Sequence, residues 1–396
     1  MGAAGGHSIS DMLFLMQFFS LKAIPLLVLC AVAAYAETAV PTLATGSPMP
    51  PFELPGVDGK IHRSSDLPNS KAVVLIFTCN HCPTAQLYEG RIKSLVADYK
   101  DKGVVFVAIQ PNSPSAVRLD ELGYTDLSDS LDEMKIRAEH RAFNFPYLYD
   151  GDDQKVARAY GPAATPHVFV FDESRHLRYD GRIDDSQRES LVKRHDARDA
   201  IAAILAGKPV AVAHTPSMGC STKWIYKEAD RNAEQQRFEK EPVAVTEIDE
   251  AGLKSLASSA SGKLTLVNFW ATWCGPCVAE MPELVKMWHM YRKRPFNIVT
   301  VSTNYPDEKK GVMAALERDH VSMKNYLFGS TQNYDLMKAF DPEWNGAVPY
   351  SALISPEGKI IWKYQGEGDM LSLKRRILAN LPDDDYVGQN AYWNSK

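Results

Sequence analysis

Two stretches of this chain place a pair of thiols three positions apart directly after an apolar run. VVLIFTCNHCPTAQLYEGR, residues 73–91, holds Cys79 and Cys82, and LVNFWATWCGPCVAEMPEL, residues 266–284, holds Cys274 and Cys277. So short a loop is a poor structural staple, because closing it removes little chain entropy. The spacing suits a pair that toggles between dithiol and disulfide. A cysteine on the turn that opens a helix meets unpaired N–H groups and the positive end of the helix dipole. Thiol pKa values at such places fall to roughly 3.5–7.5, against about 8.5 for a free thiol. Cys79 and Cys274 are therefore expected as exposed nucleophiles, with Cys82 and Cys277 resolving the mixed disulfide.

Two metal readings compete with redox chemistry. Zinc modules set their cysteine pairs about 15–20 residues apart, whereas these pairs fall in separate halves of the chain. Copper is the stronger competitor, because thiolate and imidazole suit it. His81 or His167 would then join Cys79 and Cys82. For His167 the competing reading is a strand residue with a satisfied side chain.

The elements around both pairs repeat. KAVVLIFT (71–78) and KLTLVNFW (263–270) are continuous apolar runs of the length and kind found in buried strands. Each leads through its cysteines into a helix-like pattern, Leu87–Tyr99 and 277–294, and then into a second apolar strand, GVVFVAIQ or FNIVTVST. A further helix pattern and a closing strand pair follow in each half: HVFVFD with LRYDGRI, and YSALIS with KIIWKYQG around Pro356-Glu357-Gly358. Another helix is expected at Ala197–Leu205, and an opening hairpin around Gly59. Alternating strand and helix predicts an α/β fold, here two tandem domains, each a central mixed sheet flanked by helices. Between them Lys227–Glu241 is dominated by charge and reads as a solvated linker, with a transient helix as the alternative. The predicted division is 42–225, linker 226–242, 243–383, and a polar tail 384–396.

The chain has 396 residues, a formal net charge of -5 and 45% hydrophobic residues, enough for two cores and without a basic stripe for nucleic acid. Ala23–Ala36 is an apolar run after Lys22 that ends in Ala34-Tyr35-Ala36, so a secretory signal over 1–36 is expected, cleaved before Glu37. A start at Met16 would give that signal compact proportions. The competing reading is an uncleaved anchor from Met12 to Ala36, interrupted by Gln17, Ser20 and Lys22. Export to the periplasm or cell envelope follows from both, and cleavage would leave no stable membrane insertion. Cys30, one of the six cysteines, leaves with the signal. The run Leu27–Leu29 before it lacks the small residue of a lipoprotein site.

NFWATWCGPCVAEMPEL resembles the thioredoxin superfamily, and within it the exported thiol-disulfide oxidoreductases of the cytochrome-c-maturation (TlpA-like) type, over about residues 243–381. The resemblance implies a cis-proline at Pro349 in AVPYS and a substrate groove with Trp273, while Trp270 packs. Asn268 stands where thioredoxin carries an aspartate. Glu280 matches the family's alternative proton acceptor, against the plainer reading of a first-turn acid favoured by the helix dipole. FTCNHCPTAQLYEGR, ATPHVFVFD and GCSTKW resemble the peroxiredoxin-like (AhpC/TSA-type) redoxins over about residues 46–225. That similarity implies a cis-proline at Pro166 and a closing segment carrying Cys220, which is read either as a third redox thiol or as a buried hydrophobe. Peroxide reduction is not expected, because Ile76 and Ala72 replace the threonine and proline that a peroxidatic site needs. A positive His81 beside the resolving cysteine would favour the thiolate form and raise the potential within a range of roughly −270 to −120 mV, with Gly275-Pro276 toward the reducing end. Together these resemblances imply disulfide exchange with protein thiols without metal or organic cofactor, recharged by a membrane or periplasmic redox partner, in envelope redox homeostasis or cytochrome c maturation. Two unequal sites suggest a relay.

Overall fold

The computed structural model describes residues 40–382. The expected signal, with Cys30, and the polar tail lie outside the described residues.

The first half opens with the hairpin β1 (Glu53–Pro55) and β2 (Ile61–Arg63), joined through Gly59 at φ 78°. Its sheet contains β3 (Ala72–Phe77), β4 (Val104–Gln110), β5 (Tyr147–Tyr149), β7 (His167–Asp172) and β8 (Leu177–Gly181), with helices α1 (Pro83–Tyr99), α2 (Leu131–His140), α3 (Lys155–Tyr160) and α4 (Asp196–Leu205). Two short strands, β6 (Ala164–Thr165) and β9 (Cys220–Ser221), pair outside it. The strand order is β5-β4-β3-β7-β8, parallel through β3 and antiparallel from β7 onward. All six residues of β3 are buried, as a strand covered on both faces must be.

The second half contains β10 (Val245–Ile248), β11 (Leu264–Trp270), β12 (Phe296–Ser302), β13 (Lys324–Phe328), β14 (Tyr350–Ile354) and β15 (Ile360–Gln365). The order β10-β13-β12-β11-β14-β15 repeats the first sheet with one strand added at an edge. Its helices, after α5 (Glu228–Glu239) between the halves, are α6 (Glu250–Ala257), α7 (Gly275–Tyr291), α8 (Lys309–Arg318), α9 (Asn333–Phe340) and α10 (Met370–Asn380). In both sheets the central strand enters the cysteine turn beside the strand that follows a proline, pairing Phe77 with His167 and Phe269 with Tyr350. The register therefore brings each Cys-x-x-Cys turn next to its proline loop.

The segment expected as a solvated linker is the helix α5, Glu228–Glu239, in which Glu234 is the one buried residue. Three contacts hold it against both halves. Glu234 lies 3.7 Å from Arg118, Phe238 stacks on His289 with ring centroids 3.9 Å apart, and Glu241 accepts from Arg292 at 2.7 Å. Sequence alone shows its charge but not the partners that neutralise it. The halves also meet directly. Val117 and Leu122 of the first join the buried apolar cluster of Met287, Met290 and Tyr291 in the second. Tyr291 donates to the Thr125 carbonyl at 2.8 Å, Arg294 to that of Gly123 at 2.6 Å, and Arg375 to Asp126 at 2.8 Å.

Candidate active site

In the second half β11 runs into a turn that ends at Cys274. This residue caps α7, its sulfur accepting from the Cys277 N–H at 3.3 Å, and Pro276 sits in the first turn where a missing N–H costs nothing. Cys274 and Cys277 form a disulfide. The peptide bond before Pro349 is cis. Trp273 is 67% exposed beside the pair while Trp270 is buried, so only Trp273 offers a contact surface. Asn268 is buried under the site and donates to Ser351 at 3.1 Å, leaving no carboxylate there. Glu280 lies one turn after Cys277 and accepts from the Gly368 N–H at 2.7 Å. Burial raises its carboxyl above the ordinary glutamate range, and Glu367 adds to this against the Gly368 bond. A favourable helix dipole would do the reverse.

The first half uses the same strand–turn–helix but shifts the cap. Here the second cysteine, Cys82, caps α1 and accepts from Ala85 N at 3.4 Å. The N–H groups of Asn80 and His81, which would otherwise face a Cys79 thiolate, are taken by one oxygen of Asp129 at 2.9 and 3.1 Å. The other Asp129 oxygen lies 2.6 Å from His81 Nδ1 and accepts from Asn112 at 2.9 Å. His81 and Asp129 are both buried. Burial opposes charge on the imidazole, yet Asp129 outweighs it and raises His81 above its ordinary value. Burial likewise opposes the carboxylate, and His81 with the Asn112 and backbone donors holds Asp129 below its own.

Neither first cysteine is the exposed thiol expected, since Cys79 is 3% and Cys274 6% exposed. In the first pair the lowered thiol is Cys82, itself fully buried, rather than Cys79. Burial, the neighbouring Cys82 sulfur and the Asp129 charge push the Cys79 thiol well up, and Thr165 Oγ1 lies 3.1 Å away. Cys82 is held well below the usual thiol range. Burial works against this, but hydrogen bonds from Cys220 and Cys79, the His81 charge and the Ala85 N–H outweigh it. Cys82 also stands at the N-terminus of α1, where the positive end of the helix dipole favours a thiolate. Cys220 is half-buried, and its own N–H donates to Cys82 Sγ at 3.3 Å. The peptide bond before Pro166 is cis, and the Thr165 carbonyl lies 3.3 Å from Cys82 Sγ.

His167 does not reach the sulfurs with a ring nitrogen. Its Nδ1 accepts from Ala163 N at 3.1 Å, its Nε2 faces Asp180 at 3.5 Å, and its ring packs on Phe169. The group with ligand geometry among the described residues is Cys79, His81 and Asp129, whose donor atoms lie within 4.8 Å of one another. Ile76 and Ala72 are buried core residues of β3, and the hydroxyl beside Cys79 comes from Thr165 on another strand. Asp129, Thr165 and Asn112 escaped sequence reasoning because each reaches the site from a separate loop or strand. The one available signal was the acid-rich turn TDLSDS.

Residues 45–180 match the AhpC/TSA family and residues 239–375 the Redoxin family. Among curated proteins, a thiol-disulfide oxidoreductase ResA of Bacillus cereus is 25% identical over 152 residues, covering 36% of this chain and 78% of that protein. ResA of Bacillus subtilis is 30% identical over 113 residues, 28% of this chain and 59% of that protein. Among solved structures, an uncharacterized conserved protein from Geobacillus kaustophilus is 38% identical over 47% of this chain and 94% of its own, with a TM-score of 0.41. With its repeated sheet, the chain is a tandem thioredoxin-superfamily protein. Its first domain is of the AhpC/TSA type and its second of the Redoxin type.

Proposed function

We propose that this chain is an exported thiol-disulfide oxidoreductase that exchanges disulfides with protein thiols at two unequal sites. One observation supports it above the rest. Each half sets a Cys-x-x-Cys pair at a strand-to-helix turn beside a cis-proline. At the second site Cys274 attacks, Cys277 resolves and Glu280 accepts the proton, with Trp273 and Pro349 forming the substrate groove. At the first, Cys79 and Cys82 form the couple, Pro166 flanks it and His81 tunes it. Envelope redox homeostasis or cytochrome c maturation, with a membrane or periplasmic recharging partner, is the proposed setting. No helix among the described residues is long and apolar enough to cross a membrane.

A relay between two unequal couples would pass disulfides between the sites through a shared substrate or a redox partner. Turnover of a scrambled-disulfide or insulin-reduction substrate tests the proposal. Loss with Cys274→Ser supports it, and undiminished turnover with both first cysteines replaced would overturn it.

A copper-carrying or partner-docking role for the first half is the second reading, favoured by the Cys79–His81–Asp129 group. Of the expected ligands this group keeps Cys79 and His81, with Asp129 where Cys82 was expected, and His167 lies outside it. Anaerobic copper(I) titration of the full chain and of its Cys79→Ser/Cys82→Ser form separates the two readings. Tight stoichiometric binding lost in the variant would favour the carrier.

A further inference from the structure

The first site holds three thiols rather than two. Cys82 is central: its Sγ accepts from the Cys220 N–H at 3.3 Å, and Cys79 packs beside it. All three pack in one small buried cluster with Ala85. Cys220 is not there by accident of a loose tail, because its strand β9 pairs Cys220 with Thr165, the residue before the cis-proline. The approach is closer than any side chain would allow. Gly219 has φ +156°, and a Cβ on it would stand 1.9 Å from the Thr165 carbonyl oxygen. The segment is pinned downstream as well. Lys223 N donates to Asn112 at 2.8 Å, its carbonyl accepts from Ser113 N at 2.8 Å, and its ammonium meets Glu121 at 2.6 Å. Exposure ranks the sulfurs: Cys82 is 0% and Cys79 3% exposed, while Cys220 is only half-buried.

We propose that Cys82 is a shared sulfur that forms a disulfide with either Cys79 or Cys220, so that an internal exchange carries the disulfide from the covered pair to the accessible edge at Cys220. This rests on the exchange function proposed above. In the step, the Cys220 thiolate attacks Cys82 within the Cys79–Cys82 disulfide. The Cys82–Cys220 bond forms, the Cys79–Cys82 bond breaks, and the electron pair leaves on Cys79. Cys79 takes up the proton that Cys220 lost, so no outside oxidant or reductant enters. An incoming protein thiol then meets the disulfide at its more exposed sulfur.

The test uses the full chain in a Cys274→Ser/Cys277→Ser background, oxidised with glutathione disulfide and mapped by non-reducing peptide mass spectrometry. In the Cys79→Ser form the expected result is a Cys82–Cys220 disulfide, with loss of both remaining thiols of the cluster. With all three thiols present, both disulfides should reach one ratio from either starting direction. Glutathione left on Cys82 or Cys220 of the Cys79→Ser form, without the link between them, would overturn the proposal. The Cys220→Ser form separates this outcome from failure of the exchange function. A Cys79–Cys82 disulfide there keeps the function when the third thiol fails, and its absence would overturn both. Near-ultraviolet circular dichroism identifies a misfolded variant, and Gly219→Ala is the second route. It keeps every thiol, and selective loss of the Cys82–Cys220 link with Cys79–Cys82 retained would support the proposal, whereas a link absent from the parent chain as well would overturn it.

Discussion

Replacing Asp129 with asparagine tests the buried charge that organises the first site. The carboxylate accepts from two backbone N–H groups and from Asn112 while facing His81 at 2.6 Å. Asparagine keeps the volume but offers one acceptor oxygen and a donor, so at least one buried donor loses its acceptor. Breaking a buried ion pair from one side costs about 3–5 kcal/mol, and the surviving hydrogen bonds put this variant near the lower end. The sign with pH follows from the two shifts. His81 is raised above 6.5, so its contribution is complete below that value and fades as pH rises through the raised pKa. Asp129 is lowered below 3.8, so its contribution is complete above that value and fades as pH falls through the lowered pKa. The difference between the parent chain and Asp129→Asn is therefore greatest between these ordinary values and narrows on the alkaline side. Without its partner His81 loses the charge that raises it, and the Cys82 thiolate should appear at higher pH. Urea unfolding across pH and thiolate ultraviolet absorbance read the two effects. A stability change under about 0.5 kcal/mol, the level of an ordinary surface substitution, together with an unmoved thiol titration, would refute the assigned charge pair.

Three further outcomes are expected. Glu280→Gln keeps an oxygen for the Gly368 N–H but removes the ionisable group, so the pH–rate profile of exchange at Cys274 should lose one inflection with little change in melting temperature. Gly219→Ala should lower stability by about 1–3 kcal/mol in thermal denaturation, as overpacking against fixed backbone does. Tyr291→Phe removes the donor to the Thr125 carbonyl, and urea unfolding should lose roughly 1 kcal/mol at the contact between the halves.

Much of the architecture was legible because it rests on local pattern. AVVLIF and LTLVNFW are apolar at nearly every position, and both form central strands buried throughout. The cysteine turns and the repeated strand order followed from the same periodicity. The region between the halves was not legible, since a charged, weakly patterned segment folds only against Arg118, His289 and Arg292. The first site was half legible. Cys79, His81 and Cys82 announce themselves by spacing, but the carboxylate that engages His81 and the turn's N–H groups, Asp129, is brought in by a distant loop. Identical Cys-x-x-Cys spacing thus conceals two electrostatic designs, with the helix positive end on Cys274 in one and on Cys82 in the other.

The most direct test of two unequal dithiol sites is their reduction potentials. Because the halves share buried contacts, it is made in the full chain, with the other site's cysteines replaced by serine. Equilibration against glutathione, read by thiol alkylation, should show two reversible two-electron couples, with the Cys79–Cys82 site less negative than Cys274–Cys277. Equal potentials, or a pair that never titrates, would contradict the account.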